Sequence, residues 1–325
     1  MIGAGALGFH HVRILRDVEG AELVGFFEER GDRATSVATE LETRAFTSLD
    51  ALLDEVDAVT VVVPTPSHHA VARRALERGK HVLVEKPLAA TLEEADELLA
   101  IAKARGVIVQ TGHVERFNRA VRAALPHVEH ARFIESDRLA PFNPRGSDVA
   151  VVLDLMIHDI DLVRTLVGGT VTDVSAVGVP VLTPFVDIAN ARLTFASGAV
   201  ANITSSRVSR DRLRKVRIFQ QSGYLSLDLG TGAGEYFRMR GDVDMAELVK
   251  APMALEAFVE RIPLEAPDGE PLRLEFESFV AAVRGSGPVV VTGEDGREAL
   301  AVALRIVHEI ERTMPALGGM GGLRA

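Results

Sequence analysis

Apolar residues along the first 112 positions fall into short runs that alternate with amphipathic helical stripes. The stretch 58–63, Ala-Val-Thr-Val-Val-Val, is typical of a strand buried on both faces. Between 34 and 41 the apolar residues instead follow the i, i+3, i+4, i+7 spacing of a helix. Strands alternating with helices predict a doubly wound, mostly parallel sheet in an α/β fold. The predicted strands cover 22–28, 58–63, 81–84 and 107–109.

The pattern changes after position 170, where strand-like runs follow one another with turn residues between them. These runs favour a mostly antiparallel open sheet, one face of which would bury against a partner subunit. We therefore expect a first domain at 1–114, a second at 115–314 and a disordered glycine-rich tail at 315–325. The predicted strands cover 171–179, 188–195, 199–205, 216–219 and 224–227, and later helices are predicted over 274–283 and 297–313.

Composition and charge exclude several classes of function. The 325 residues carry 36 Lys and Arg against 46 Asp and Glu, and this net charge of −10 opposes binding to nucleic acid. The chain has no cysteine, which excludes disulfides, thiolate nucleophiles and cysteine-type zinc sites. No apolar run approaches the ~20 residues that span a bilayer, and the first residues do not resemble a signal peptide. We expect a cytoplasmic protein that binds neither nucleic acid nor membrane.

A Gly-x-Gly-x-x-Gly motif opens the first predicted helix, with Gly3, Gly5 and Gly8 in the three glycine positions. In such a motif the first glycine permits a tight turn, the second lets the backbone approach a pyrophosphate, and the third lets helix and strand pack closely. The N–H groups of the first helical turn, which includes Ala6 and Leu7, then face the phosphates. We therefore predict a nicotinamide-dinucleotide site in a Rossmann domain.

An acidic residue follows the motif at the distance that such a site requires. Glu28 lies twenty residues past Gly8 at the end of the second predicted strand, where a carboxylate can bind both ribose hydroxyls. Because a carboxylate at this place repels a 2′-phosphate, NAD is favoured over NADP. Arg30 and Arg33 lie close enough in sequence to reduce that preference.

The strand that should precede the motif is almost absent, because only two residues stand before Gly3. That strand is normally the central one of the sheet, with neighbours on both sides. We expect the true start to lie upstream, with Met1 an internal strand residue, since a sheet without its middle would be unstable. A gene with only terminators directly upstream would contradict this expectation.

Further motifs occur in order along nearly the whole chain. They are Pro64-Thr65-Pro66-Ser67-His68-His69, Glu85-Lys86-Pro87, the segment 154–159 (Asp-Leu-Met-Ile-His-Asp) and the segment 292–296 (Thr-Gly-Glu-Asp-Gly). With the glycine motif they resemble the GFO/IDH/MocA family of glucose–fructose oxidoreductases, inositol dehydrogenases and relatives. The resemblance implies an N-terminal Rossmann domain and a C-terminal α+β domain on a large, open, mostly antiparallel sheet. In the family that sheet commonly packs against its copy, so we expect a homodimer or homotetramer.

The resemblance also implies which residues surround the cofactor. It places Pro64, Thr65, His69, Glu85 and Lys86 there. Apart from that role of His69, the histidine pairs at 10–11 and 68–69 are predicted to be helix-surface residues.

By the same resemblance Lys86, Asp154 and His158 form the catalytic group. Oxidising a secondary alcohol needs a base for the hydroxyl proton, and a histidine such as His158 suits that role. Asp154 lies four residues before it on the same helical face and would orient His158 or the substrate hydroxyl. Lys86 would share the proton or stabilise the developing alkoxide. The alternatives are a solvated lysine and a structural Asp–His hydrogen bond; no ligand cluster predicts a metal.

Two segments bear on the substrate. The stretches 112–118 and 138–148 resemble the branch of the family that oxidises the 3-hydroxyl of UDP-activated N-acetylated amino sugars, although Arg119 replaces the proline usual there. The two segments contain Arg116, Arg138 and Arg145. A guanidinium group suits the diphosphate or a carboxylate of the substrate, but each of these arginines is equally consistent with a surface position. The predicted substrate contacts are Arg116, Asn118, Arg138, Arg145, Asp154 and His158.

Two other functions remain consistent with the residues. One is a dehydrogenase of a free polyol or sugar such as inositol, which activity on the free sugar alone would favour. The other is a non-catalytic dinucleotide-binding regulator, which tight NAD binding without turnover would favour. The presence of Lys86, Asp154 and His158 together argues against lost chemistry.

Overall fold

The computed structural model describes residues 1–144, 146–147, 149–240 and 258–314. The chain divides into two compact units, which we call unit 1 and unit 2. Unit 1 holds Met1–Phe117 with Gly269–Ala301, and unit 2 holds Asn118–Asp268 with the described residues from Val302 onward. The sequence had suggested a single boundary after residue 114, so the return of 269–301 to unit 1 is a correction. The tail at 315–325 lies outside the described residues.

Unit 1 consists of short parallel strands and the helices that connect them. The sheet pairs β1 with β2 and, separately, β3 with β4 and β4 with β5, all in parallel. The strands are β1 Phe26–Phe27, β2 Ala45–Phe46, β3 Ala58–Val61, β4 His81–Glu85 and β5 Val109–Gly112. The helices are α1 Ala6–Leu15, α2 Gly31–Glu40, α3 Leu49–Glu55, α4 His68–Glu77 and α5 Leu92–Arg105.

Residues 1–3 lie between β1 and β3 and link them. The main-chain N–H of Ile2 donates to Thr60 at 2.9 Å, and that of Gly3 donates to Phe27 at 2.8 Å. Ile2 forms parallel β-bridges to Phe27 of β1 and to Val61 of β3, so this one residue occupies the middle position of the sheet. β1 is shorter than the predicted strand at 22–28, because its partner β2 offers only two residues for pairing.

The segment that returns to unit 1 does so through an apolar contact. It contains helix α8, Pro271–Val283, before the start of helix α9, Gly293–Thr313. Phe276 of α8 is fully buried and packs in one cluster with Ile14 and Leu83. The hydrophobic stripe of α8 therefore completes the core beside α1 and β4.

Unit 2 is built on one eight-stranded sheet with the order β13-β12-β11-β10-β6-β9-β8-β7. The pair β6–β9 is parallel and the other pairs are antiparallel, which confirms the predicted fold class. The strands are β6 Phe133–Leu139, β7 Val171–Val179, β8 Ile188–Phe195, β9 Val200–Ser206, β10 Leu213–Gln220, β11 Gly223–Asp228, β12 Ala233–Met239 and β13 Val259–Leu264. The helices α6 Arg119–Ala124 and α7 Ile157–Val167 precede and follow β6.

The two faces of this sheet differ in composition. On one face apolar residues such as Ile134, Ile203 and Ile218 are fully buried, and α7 packs there on β6 and β9. The opposite face carries partly exposed side chains at the alternate positions. We call it the open face. In the part of the chain that the structure describes, no helix is long and apolar enough to cross a membrane.

Candidate active site

The three motif glycines have different surroundings. Gly3 has a φ of +91°, and a Cβ there would press on the carbonyl of Val62. At Gly8 a Cβ would collide with the carbonyl of Gly3. A Cβ on Gly5 would meet no protein atom within 4 Å. Packing thus requires the first and third glycines, whereas the second borders open space.

Helix α1 begins beside that space. Its N-cap residue is Gly5, which offers no side-chain oxygen to the first turn. Ala6 and Leu7 are the first helical residues, and the N–H groups of a first turn have no partner within their own helix. An uncapped helix start next to open space suits the pyrophosphate of a dinucleotide.

Glu28 lies at the end of β1 and is bound to the glycine loop. Its Oε2 accepts the N–H of Ala4 at 2.8 Å, and its Oε1 accepts the Nε–H of Arg30 at 3.0 Å. Arg33 donates through Nε to the carbonyl of Ala4 at 2.9 Å. The carboxylate is therefore fixed beside the loop, and both neighbouring arginines are engaged there.

The segment after β3 carries the next predicted residues. Pro64 precedes a 3₁₀ turn at Thr65–Ser67, which leads directly into α4. His69, in the first turn of α4, has its Nε2 2.9 Å from Oε2 of Glu97 on α5. Pro64 and Thr65 therefore stand at the carboxyl end of a parallel strand, where doubly wound sheets bind their ligands.

Two of the paired histidines are buried, which corrects the prediction that they lie on helix surfaces. His11 is 0% and His68 is 2% exposed, whereas His10 is exposed. His11 follows Gly8 and precedes Ile14 by three residues, so it falls on the stripe of α1 that faces the sheet. His68 shares its stripe with the buried Ala72 of α4.

Glu85 and Lys86 stand at the carboxyl end of β4. The carboxylate of Glu85 is buried, and Nε2 of His11 lies 3.1 Å from its Oε1. Burial acts to raise the pKa of Glu85, but the hydrogen bond and charge of His11 and the charge of Lys86 outweigh it and hold the pKa below its usual value. Gly112 on β5 makes room for this carboxylate, since a Cβ there would lie 3.1 Å from its Cδ. Lys86 is half-buried, and its peptide bond to Pro87 is cis.

Unit 2 carries the predicted acid–base pair. Asp154 lies on a π-helical turn at Val152–Met156, and His158 lies in the first turn of α7 directly after it. Both side chains are partly exposed. π turns of this kind often occur at functional sites.

A buried ion pair between Arg207 and Asp187, which the sequence did not predict, holds the chain that packs against Asp154. Gly146, with a φ of +78°, lies against the Asp154 carboxylate, and a Cβ there would sit 2.7 Å from Oδ2. Arg207 donates to the carbonyls of Gly146 and Val149 and, at 2.9 Å through Nε, to Asp187. No local sequence pattern marks this pair, because its members are brought together by the sheet.

Two residues predicted to contact substrate, Arg138 and Asn118, also make hydrogen bonds within the fold. Arg138 is 4% exposed and binds Asp159 through Nε at 2.6 Å and Nη2 at 3.2 Å. Asn118 caps α6 by accepting the N–H of Ala120, and its amide donates to the carbonyl of Leu229 at 2.9 Å.

The two remaining arginines have separate outcomes. Arg116 lies in a 3₁₀ turn at Val114–Phe117 of unit 1, with Nη2 3.5 Å from Oδ1 of Asp295. Arg145 lies outside the described residues.

Within the described ranges no group of three or more His, Asp or Glu side chains could hold a metal ion.

A doubly wound unit with a glycine loop and a fixed acidic residue, and a second unit on an open sheet, define a class of two-unit dinucleotide-binding enzymes. Family models agree with that class. Residues 1–113 match the oxidoreductase family with an NAD-binding Rossmann fold, and residues 119–226 match the GFO/IDH/MocA C-terminal domain. The chain belongs to the GFO/IDH/MocA family of oxidoreductases.

Individual relatives agree with this assignment. UDP-N-acetylglucosamine 3-dehydrogenase of Acidithiobacillus ferrooxidans is 40% identical over 317 residues, which are 96% of each chain. A solved structure of that name from the same organism has a TM-score of 0.88 at 38% identity, again over 96% of each chain. The scyllo-inositol 2-dehydrogenase (NAD(+)) of Bacillus subtilis is 32% identical over 64% of this chain and 67% of its own.

Proposed function

We propose that the protein is an NAD-dependent dehydrogenase that oxidises the C3 hydroxyl of a UDP-activated N-acetylated amino sugar to a ketone. One observation carries the proposal, the 40% identity over 96% of the chain to UDP-N-acetylglucosamine 3-dehydrogenase. Identity over that length runs through both units, and so through the segments expected to bind cofactor and sugar.

Catalysis is assigned to Lys86, Asp154 and His158. Bound NAD supplies the acceptor for the hydride that leaves the sugar carbon. His158 takes the hydroxyl proton on an imidazole nitrogen, and Asp154 orients the imidazole or the hydroxyl. The ammonium group of Lys86 stabilises the negative charge that develops on the sugar oxygen. Loss of the proton and the hydride leaves a ketone.

NAD is proposed over NADP because of the way Glu28 is held. The carboxylate is fixed by Ala4 and Arg30 at the end of β1, where the adenosine ribose is bound in doubly wound folds. A 2′-phosphate would face this negative charge. Gly3, Gly5 and Gly8 with Ala6 and Leu7 are assigned to the pyrophosphate, and Pro64, Thr65, His69, Glu85 and Lys86 to the rest of the cofactor.

Two further statements belong to the same proposal. Arg116 and Arg145 are the arginines assigned to the anionic part of the substrate. The protein is a cytoplasmic homodimer or homotetramer joined through the open face of unit 2. That face carries a row of aromatic rings whose centroids lie 4.6–5.7 Å apart, at Phe133, Phe219, Tyr224 and Phe237.

The test measures the absorbance of reduced nicotinamide after the purified protein is mixed with NAD and one of three compounds. These are UDP-N-acetylglucosamine, its uronate and inositol. We expect reduction of NAD with a UDP-sugar and none with inositol. Lys86→Met and His158→Gln should abolish it while the circular dichroism spectrum is kept. Reduction with inositol alone would keep the chemistry and overturn the substrate. NAD binding without turnover of any compound would favour a regulator.

A further inference from the structure

Both sequence neighbours of Lys86 are bound to buried histidine side chains. Glu85 precedes it, with Oε1 3.1 Å from Nε2 of His11, while Oε2 accepts the main-chain N–H of Lys86 at 3.2 Å. Pro87 follows it, and its carbonyl oxygen lies 2.8 Å from Nδ1 of His68. Because both histidines are almost completely buried, water does not compete for these contacts.

The second nitrogen of each histidine ring contacts β3 or the residues that follow it. Nδ1 of His11 lies 3.2 Å from Oγ1 of Thr60, and Nε2 of His68 lies 2.8 Å from the carbonyl oxygen of Val63. Each ring therefore connects the segment 60–63 to the chain beside Lys86. The two contacts are made from different helices, α1 and α4.

We propose that His11 and His68 are positioning residues that hold the main chain on either side of Lys86 and so determine where its ammonium group lies. The importance of that position for turnover rests on the proposed function. A lysine side chain is a flexible four-carbon stem, so its charge is placed no more accurately than its main chain. A displacement of 1 Å at a reacting group can cost on the order of 100-fold in rate.

The chemistry of Glu85 requires a polar partner at His11. A buried carboxylate without a partner is costly and takes up a proton instead. An apolar side chain in place of His11 would therefore remove the negative charge next to Lys86 as well as the contact. His68 acts differently, because both of its contacts are to carbonyl oxygens, which accept only from a ring N–H group. Burial lowers the pKa of His68, so the neutral ring donates one hydrogen bond, to one of the two carbonyls.

Because the two ring nitrogens of each histidine have different partners, a variant can be chosen that keeps one contact and removes the other. An asparagine amide nitrogen takes the place of Nδ1, and a glutamine amide nitrogen takes that of Nε2. His11→Gln and His68→Asn therefore keep the contacts to Glu85 and Pro87. His11→Asn and His68→Gln keep only those to Thr60 and Val63.

We expect His11→Gln and His68→Asn to keep most of kcat. His11→Asn and His68→Gln should lower kcat by about 10–100-fold with little change in KM or in the affinity for NADH. His10→Leu, at the exposed neighbour in α1, is the control and should behave as the wild type. Equal loss of kcat in all four variants, together with lower melting temperatures, would overturn the proposal.

A second readout does not depend on turnover. The chain has five lysines, so ¹³C-methylated lysine NMR gives few signals, and Lys86→Arg identifies that of Lys86. The Lys86 signal should shift or broaden in His11→Asn and His68→Gln and stay in place in His11→Gln and His68→Asn. An unchanged Lys86 signal in all four variants would overturn the proposal. If the wild type oxidises no sugar, the proposed function fails, and this spectrum still decides the positioning.

Discussion

Carboxylates held by main-chain N–H groups are the most informative single residues of this protein. Glu28 accepts from Ala4, and Glu85 accepts from Lys86. Asp187 accepts three consecutive N–H groups, of Val181, Leu182 and Thr183, at 2.7–2.9 Å. Such bonds favour the charged form of a carboxyl group. Glu85 and Asp187, whose pKa values are lowered, therefore hold fixed negative charge inside the fold.

We expect Glu28→Ala to shift the cofactor preference towards NADP. Its removal eliminates the charge that opposes a 2′-phosphate and frees the guanidinium of Arg30, now 3.0 Å from Oε1, to bind one. The ratio of kcat/KM for NADP to that for NAD should rise about tenfold or more, or about 1.4 kcal/mol. Glu29→Ala, at the exposed next residue, should leave the ratio unchanged. An unchanged ratio in Glu28→Ala would show that Glu28 does not face the ribose.

The environment of Asp187 leads us to expect that the free energy of unfolding depends on pH in the acid range. Burial acts to raise its pKa, but hydrogen bonds from Thr183, Val181 and Leu182 outweigh it and lower the pKa to about 2. Because the folded pKa lies below the unfolded value, this stabilisation is complete above about pH 4 and disappears as the pH falls through about 2.

The measurement is the free energy of unfolding in urea at pH 6 and at pH 2.5 for the wild type and Asp187→Asn. The variant should be less stable at pH 6, and the difference should shrink by about 2 kcal/mol at the lower pH. Asp211→Asn, at an exposed position, is the control. A difference that stays constant with pH would contradict the lowered pKa.

At the scale of elements, close packing between a loop and a helix start shapes the cofactor half of the site. The glycine loop joins the middle of the sheet to α1, and the third glycine touches the first. The second glycine has no such contact and borders open space. The same residue type thus serves the fold at two positions and the ligand at the third.

Gly8→Ala and Gly5→Ala should separate these roles. Gly8→Ala forces a Cβ onto the carbonyl of Gly3 and should lower the free energy of unfolding by about 1–3 kcal/mol. Gly5→Ala should leave stability nearly unchanged, because its φ of −61° suits alanine and the Cβ meets no protein atom. It should weaken NAD binding about tenfold or more, by about 1.4 kcal/mol, measured by calorimetry. Unweakened binding in Gly5→Ala would place the pyrophosphate elsewhere.

At the scale of the whole molecule, the open face of unit 2 is the surface proposed to join the subunits of an oligomer. Its aromatic row crosses four adjacent strands, and Arg217 and Glu135 form an ion pair on the same face. A face that mixes aromatic area with both signs of charge can meet its own copy around a two-fold axis.

Charge introduced into the aromatic row should separate the subunits. We expect Tyr224→Glu with Phe237→Glu to reduce the mass in solution to the 35.0 kDa of one chain, because like charges would meet across the axis. Light scattering after size exclusion measures the mass, and circular dichroism checks the fold. Glu40→Arg, exposed on α2, should keep the wild-type mass. A wild type that is itself monomeric would contradict the proposed assembly.

The local pattern of the chain was sufficient for the elements whose residues carry a regular period. The strands at 171–179 and 188–195 match the sequence prediction, because alternation is a property of neighbouring residues. β6, β12 and β13 escaped prediction. In β6 the buried positions include Ser136 and Arg138, which interrupt the apolar alternation.

By itself the sequence determined the fold class, the dinucleotide motif and the family, since each depends on residue types at short spacings. Only the tertiary structure decided which polar residues lie inside. His11, His68, Arg138 and Asp187 look like surface residues in the sequence, and each is buried against a partner from another element. The physical reason is that a polar side chain is stable in the interior only beside a complementary group, and strand pairing and helix packing decide which groups meet.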